Sequence, residues 1–544
     1  MGDEPQKKLP LLRTRNFILR LRFQTVLSNL FTPKDKRGFA MPKQIKKAEK
    51  SLEELLWDSA NKLRGTVVSY DYMNVCLGLI FLKYAGDRFD ARRAELIAMG
   101  REKYIDYPAF YMSENVFYLT PVSRWSYLIE NAKKPDLPLL IDTALAEIEK
   151  NNDALKGALP DNFYSRLTMD VSKLAALVDI VNQIKIDAHD FDLFGRVYEY
   201  FLGKFAASQG QKGGEYYTPK CIVRLLTEMI EPFKGRVYDP CCGSGGMFVQ
   251  SAKFIAAHGG ETNDIAIFGQ EQNSATLKLA KMNLAIRGIS ADFGAMPADT
   301  FSKDQHKDLK ADFILANPPF NLKEWRAESE LTDDPRWNGF DVPPAGNANY
   351  GWILHMLSKL SDKGVAGFVM ANGSMSSSTG GEDKIRRALI EKGLVECMIA
   401  LPSQLFFTVQ IPACLWFIRK NRDRKETLFI DARNVGFMAD RTHRDFSDED
   451  IAKITATYHN WRKKSPEYQD IKGFCKSADL TEIAANDYVL TPGRYVGIAE
   501  QADDGEPFDA KMTRLTAELS SLFAQSDALQ SDIRDKLASI GWKV

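Results

Sequence analysis

From about residue 230 the chain alternates short apolar runs with helical stretches, and this alternation limits the fold more than any other feature. The runs are Arg236–Tyr238, Ile265–Gly269, Phe313–Ala316, Val365–Met370, Leu394–Leu401 and Cys414–Ile418. Helical periodicity falls between them, at Ala275–Arg287 and Trp352–Leu360. Strands that alternate with helices build a mostly parallel sheet covered on both faces. Ligands of such sheets bind beyond the carboxyl ends of the strands. The residues just after each run are therefore where chemistry is expected.

The remainder reads differently. At 544 residues the chain exceeds one ordinary core. Residues 41–185 carry helical spacing, as in Leu52, Leu55, Leu56, Ala60 and Leu63, then Val75–Tyr84, Ile141–Ile148 and Leu174–Ile184. They are expected to form an all-helical domain. Asp192–Leu202 reads as an amphipathic helix leading into the glycine-rich Gly210–Gly214, and it opens an α/β domain over 190–435. An irregular segment is expected over 436–504. Residues 505–544 close the chain with Met512, Leu515, Leu519, Leu522, Leu529, Ile533, Leu537 and Ile540 in steps of three and four. Such a stripe suits a helix paired with another, in a partner or in its own domain. Residues 1–40 are a basic extension; Met41-Pro42-Lys43 is the expected true start.

Composition narrows the function classes. Lys plus Arg equals Asp plus Glu, 72 each, so a self-sufficient basic nucleic-acid binder is not expected. Lys43, Lys46, Lys47 and Lys50 face either phosphates or solvent. Seven cysteines without paired zinc spacing fit a reducing, cytoplasmic compartment. No apolar run of about eighteen residues appears, so no membrane span is expected. The six histidines lack metal spacing, and no metal site is expected.

Two strand-end segments carry the chemistry. After Val237-Tyr238 comes Asp239-Pro240-Cys241-Cys242-Gly243-Ser244-Gly245-Gly246. Gly243 and Gly245 allow close backbone approach to a ligand, and Gly246 is expected to permit tight strand–helix packing. The loop is neither a dinucleotide fingerprint nor a P-loop. Asp239 is placed to meet a cationic ammonium, and Glu271, after the next run, both hydroxyls of a ribose. Asp299 is placed for an adenine amine, although a loop acid is equally a solvated one. Asn317-Pro318-Pro319-Phe320 follows Phe313–Ala316. The Asn317 side-chain oxygen and the Pro318 carbonyl can accept both protons of a flat amine, localising its lone pair and stabilising the charge that develops. Two prolines hold the loop, and Phe320 offers a stacking face. Phe406-Phe407 could assist or simply pack. Together these elements read as methyl transfer from S-adenosylmethionine to an amino group on a planar substrate, a base in DNA that must be flipped out to reach the loop.

Gly214-Glu215-Tyr216-Tyr217-Thr218-Pro219, then Asp239–Gly246, then Asn317–Phe320, resemble in that order the amino-methyltransferases of the gamma arrangement. The modification subunit of type I restriction–modification systems is the closer likeness. It extends over nearly everything from Met41, including Gly346–Trp352, Gln410–Trp416 and Asn486–Tyr495. The resemblance implies a Rossmann-like S-adenosylmethionine-dependent sheet with an N-terminal helical domain and a C-terminal helical tail. It implies N6-methylation of adenine in duplex DNA, with Asn317, Pro318, Pro319 and Phe320 catalytic. It places Glu215, Tyr216, Tyr217, Thr218, Pro219, Asp239, Cys241, Gly243, Ser244, Gly245, Glu271, Asp299 and Asn317 at the cofactor. It further implies a specificity subunit held through the C-terminal helix, two copies of this chain per specificity subunit, and a motor-nuclease restriction subunit. Cytosine N4, RNA, a protein glutamine amide, or a non-catalytic cofactor-sensing DNA scaffold remain open on the residues alone.

Overall fold

A computed structural model describes residues 57, 69–183, 197–201, 203–204, 218–261, 264–406, 412–498 and 507–539. Residues 1–40, the lysines at 43–50, Gly210–Gly214, Glu215, Tyr216, Tyr217 and Phe407 lie outside them.

The N-terminal part is helical. Helix α1 (Ser69–Ala98) is apolar all round its middle, with Val75–Leu77 and Leu79–Leu82 all buried. A helix of that kind belongs at the centre of its domain. Around it lie α2 (Ala109–Met112), α3 (Trp125–Glu130), α4 (Leu137–Asn151) and α5 (Val171–Asn182), and both α3 and α5 touch it. Buried Asp142 on α4 accepts from the amides of Tyr164 and Ser165 at 2.9 and 2.8 Å, so its charge is satisfied by fixed dipoles.

The second part is one nine-stranded sheet among the described residues. Its strands are β1 (Gly235–Asp239), β2 (Ile265–Gly269), β3 (Ala291–Asp292), β4 (Ala311–Ala316), β5 (Leu360–Ala371), β6 (Val395–Ala400), β7 (Ala413–Arg419), β8 (Thr427–Asp431) and, beyond the short ribbon β9–β10 (Phe437–Met438, Arg444–Asp445), β11 (Cys475–Ala478). They run in the order β11-β8-β6-β7-β5-β4-β1-β2-β3. The sheet is covered by α6 (Lys220–Ile230), α7 (Gly246–Ala257), α8 (Ser274–Ala285), α9 (Asn349–Lys359) and α10 (Glu382–Glu391), with apolar clusters on both faces.

Parallel pairing holds from β3 to β5, as the alternation implies. It fails at β7, which runs antiparallel to both β5 and β6. Val395–Ala400 and Ala413–Arg419, consecutive in the chain, thus pair with each other antiparallel. The segment over 436–498 is not irregular. It holds α11 (Asp448–Arg462), opened by a Ser447/Asp450 capping box, α12 (Leu480–Ala485), and β11, which joins the main sheet antiparallel to β8. Two short strands and polar helices give weak periodicity. Their apolar partners, such as Trp461 against Arg424 and Tyr458 against Phe417, come from far along the chain.

The helical part and the sheet share a core. Leu279, Met282 and Ile286 of α8 and its end pack into the helical cluster, and the Tyr198 hydroxyl donates to the Leu279 carbonyl at 3.1 Å. Helix α13 (Phe508–Ser539) is the last element among the described residues, and none of its residues is buried.

Candidate active site

The strand order reverses between β1 and β4, because β2 and β3 lie to one side and β5 to the other. A crevice forms beyond the carboxyl ends at such a reversal. Asp239 ends β1 and Asn317 follows β4, so both segments singled out in the sequence border that crevice. Glu271 follows β2 beside them.

The loops after β1 and β2 are laced together. Gln270 donates from its amide to the Asp239 carbonyl at 3.0 Å, and the Cys242 amide returns to the Gln270 carbonyl at 3.0 Å. The Glu271 carboxylate accepts from the amides of Gly243 at 3.1 Å and Asn273 at 2.8 Å. The Thr300 hydroxyl donates to the Pro240 carbonyl at 2.6 Å, tying the Asp299 loop to the same place. Asp299 itself is half-buried, and one oxygen accepts from the Phe301 and Ser302 amides. Gly243 and Gly245 take φ of +53° and +78°, where a side chain is strained. Gly246 departs from expectation. It is exposed, and a Cβ there would meet nothing within 4 Å, so it does not set strand–helix packing. Gly245, facing Ala280 and Leu284 of α8, lies nearer that role, while the Asn283 amide holds the Ser244 carbonyl at 2.8 Å.

Asp239 is 2% exposed and accepts one hydrogen bond, from the Cys241 amide at 3.0 Å. Burial, aided by the nearby Glu271 charge, raises its pKa to about 7. Burial likewise pushes Glu271 upward. A crevice holding two such acids is set to receive positive charge together with hydroxyl or amine donors. The Cys241 and Cys242 thiols are driven far upward by burial and the same acids, so neither serves as a thiolate.

Asn317 follows β4 on the other side of the switch point. Its amide nitrogen donates to the Thr218 hydroxyl oxygen at 3.1 Å. Its Oδ1 is buried without a partner among the described residues. An orphaned buried acceptor costs about 1–3 kcal/mol, and one beside a crevice is explained by a donor that arrives with a ligand. Pro318 is buried and Phe320 half-buried, its ring meeting Phe406 edge-on at 5.9 Å. Thr218 and Pro219 are thus brought to Asn317.

One supporting pair escaped the residue-level reading. Asn321, at φ +52°, donates its amide to buried Asn349 at 3.1 Å, and the Asn349 amide returns to the Asn321 side chain at 2.9 Å. The Ala348 amide also donates to the Leu322 carbonyl at 2.9 Å. Gly346–Trp352, marked in the sequence only by resemblance, therefore clamps the loop that follows the tetrapeptide. Asn349→Ala should lower unfolding free energy by about 2–3 kcal/mol in a denaturant titration, and Asn349→Asp by less. A loss under about 0.5 kcal/mol for the alanine would show the clamp to be idle. His355 is fully buried against the Tyr238 hydroxyl at 3.2 Å, and burial with the Arg336 and Lys359 charges holds it neutral, away from the crevice.

Residues 189–504 match the family model described as N-6 DNA methylase, and residues 52–184 the one described as HsdM N-terminal domain. The chain belongs to the N-6 DNA methylase family. It is 51% identical to the HindI type I restriction enzyme methylase subunit of Haemophilus influenzae, over 74% of this chain and 93% of that one. It is 38% identical to the MjaIX methylase subunit of Methanocaldococcus jannaschii, over 90% and 91%. A type I restriction–modification methyltransferase subunit from Streptococcus thermophilus superposes with a TM-score of 0.71 at 26% identity, covering 82% of this chain and 98% of that one. This N-6 DNA methylase is thus a methylase subunit of the type I restriction–modification kind, an adenine-N6-specific DNA methyltransferase. No helix among its described residues is long and apolar enough to cross a membrane.

Proposed function

We propose that the chain transfers the methyl group of S-adenosylmethionine to the N6 amine of an adenine flipped out of a specific duplex DNA sequence. The observation that carries this reading is the orphaned Asn317 Oδ1 at the sheet's switch point, opposite Asp239 and Glu271. The residues fit the cofactor: Asp239 would meet its ammonium, Glu271 its ribose, Asp299 its adenine amine, and the Cys241–Gly245 backbone would lie against it. Glu215, Tyr216 and Tyr217 would cover its methionine end together with Thr218 and Pro219. When bound, S-adenosylmethionine supplies an electrophilic methyl group on a sulfonium.

The side chains do the rest. Adenine N6 is a poor nucleophile because its lone pair is delocalised into the ring. Asn317 Oδ1 accepts one of its protons and the Pro318 carbonyl the other, which localises the lone pair and stabilises the charge that builds as the N–C bond forms. The carbon–sulfur bond breaks as it forms, and the surplus proton leaves to water. The Thr218 hydroxyl keeps the Asn317 amide turned with its oxygen toward the base. Phe320 supplies the stacking face.

In this reading the chain works in the cytoplasm as one of two copies on a specificity subunit, to which a motor-nuclease restriction subunit adds. Helix α13 supports the assembly: Met512, Leu515, Leu519, Leu522, Leu529 and Ile533 are each at least 42% exposed along its length. A chain lacking 507–539 should keep its melting temperature within about 2 °C, since no buried residue is removed. It should also fail to co-elute with the specificity subunit on size-exclusion chromatography. Undiminished co-elution would remove the helix from the interface.

The deciding experiment supplies methyl-labelled S-adenosylmethionine and duplex DNA to the chain copurified with its partners. Nucleosides are then identified by mass spectrometry. Labelled N6-methyladenine that disappears with Asn317→Ala is the expected result. Label in cytosine, RNA or protein would overturn the substrate, and no label despite cofactor binding would overturn the catalytic role.

A further inference from the structure

A second pocket lies at the opposite end of the sheet. Arg419 ends β7 level with Val365, which is itself level with Phe313 of β4. Asn317 lies four residues beyond Phe313, about 13 Å further along the strand direction. The pocket encloses about 290 Å³ and is lined by Lys363, Arg419, Lys420, Arg422, Arg424 and Arg462, with Glu396 and Asp423. Six cations against two carboxylates leave a net +4 in one cavity of a chain whose overall charge is zero.

The two carboxylates do not neutralise it. Glu396 is buried and already engaged by Arg419 Nε at 3.0 and 3.1 Å and by the Tyr458 hydroxyl at 2.7 Å. Asp423 is exposed. Arg422 is buried, and its guanidinium donates to the carbonyls of Gly393, Glu426 and Lys425, so it contributes fixed positive charge. Arg419 Nη2 and Arg424 Nε are buried donors without partners among the described residues. Arg424 is held over the buried Trp461 ring at 5.1 Å. Burial, and after it the Lys310 charge, lower the Lys420 pKa against the opposing Asp362 charge, and its ammonium donates to the Leu360 carbonyl at 2.8 Å.

We propose that this pocket binds the phosphate groups of a small phosphorylated ligand, at a site separate from the methyl-transfer crevice. Arginine forks with unfilled donors match phosphate oxygens, and a multivalent anion relieves the crowding of cations. The volume is roughly ten times one water's ~30 Å³ share, which suits a diphosphate better than a single small ion. On the methyl-transfer reading, on which this step rests, duplex DNA feeding a base to Asn317 would lie at the other end of the sheet. The occupant is therefore a diffusible phosphate compound.

The test uses the full chain and inorganic pyrophosphate, with orthophosphate, sodium chloride at matched ionic strength, and a short DNA duplex as comparison arms. Pyrophosphate at millimolar concentration should raise the melting temperature by at least about 2 °C over matched chloride, and orthophosphate by less. Calorimetry on Lys420→Gln/Arg424→Gln should show at least a tenfold loss of pyrophosphate affinity with methyl transfer unchanged. Asp423→Asn, at an exposed position, should tighten binding and keeps the question decidable if the double variant folds poorly. Equal stabilisation by chloride, or affinity indifferent to all these substitutions, overturns the proposal. Protection by duplex DNA but not by pyrophosphate overturns the assignment to a small ligand. A failure of the methyl-transfer experiment leaves the melting and calorimetric outcomes with pyrophosphate untouched.

Discussion

Asn317→Ala is expected to lower the rate of methyl transfer by at least about 10²–10³, the usual effect of removing one preorganised polar group from a developing charge. Cofactor affinity should change by less than about threefold, because the substitution removes an acceptor facing the substrate wall. Single-turnover kinetics and calorimetry separate the two. Thr218→Val should reproduce part of the rate loss and Thr218→Ser should restore it, since the hydroxyl oxygen that receives the Asn317 amide at 3.1 Å keeps Oδ1 turned outward. A large loss of cofactor affinity in Asn317→Ala, with normal folding, would move Asn317 from the reaction to cofactor binding.

Asp239→Asn is expected to weaken cofactor binding by about 10², the worth of a charge-assisted hydrogen bond to a buried cation. The same change should stabilise the unliganded chain. Asp239 ionises near pH 7 when folded and near 3.8 when unfolded, so the folded state holds the extra proton between those values. Stability of the unliganded chain therefore falls as pH rises from about 4 to about 7, by a few kcal/mol at most, and the amide removes that fall. Cofactor binding needs the ionised acid, so affinity should be about tenfold weaker at pH 6 than at pH 7.5. Calorimetry at both pH values, beside melting curves of both proteins, reads these signs. Affinity independent of pH, together with an unchanged melting temperature in Asp239→Asn, would place the ammonium elsewhere.

The position of the candidate site can be read from the sequence. Apolar runs that end in Asp239, Glu271 and Asn317 mark strand ends, and strand ends of a parallel sheet are where ligands bind. The helical domain was legible for the same reason, since Ile141–Ile148 repeats at a helix's own period and Val75–Tyr84 is a long apolar stretch beside it. Local signals of this kind come from residues within one turn or one strand. What they could not supply is pairing. Nothing in Ala413–Arg419 distinguishes a parallel from an antiparallel neighbour, because both are buried strands of the same composition. Thr427–Asp431 gains its place between Val395–Ala400 and Cys475–Ala478, parallel to the first and antiparallel to the second.

The chemistry divides along the same line. The sequence by itself determined which side chains stand at the strand ends: an acid, a second acid, and an amide braced by two prolines. Only the tertiary structure decided that Thr218 would take the Asn317 nitrogen and leave its oxygen bare, and that Asn349 would lock Asn321 behind it. It also decided that Asp239 would be buried deeply enough to titrate near pH 7. Side-chain identity is local, whereas desolvation and hydrogen-bond completion depend on atoms contributed from a hundred residues away.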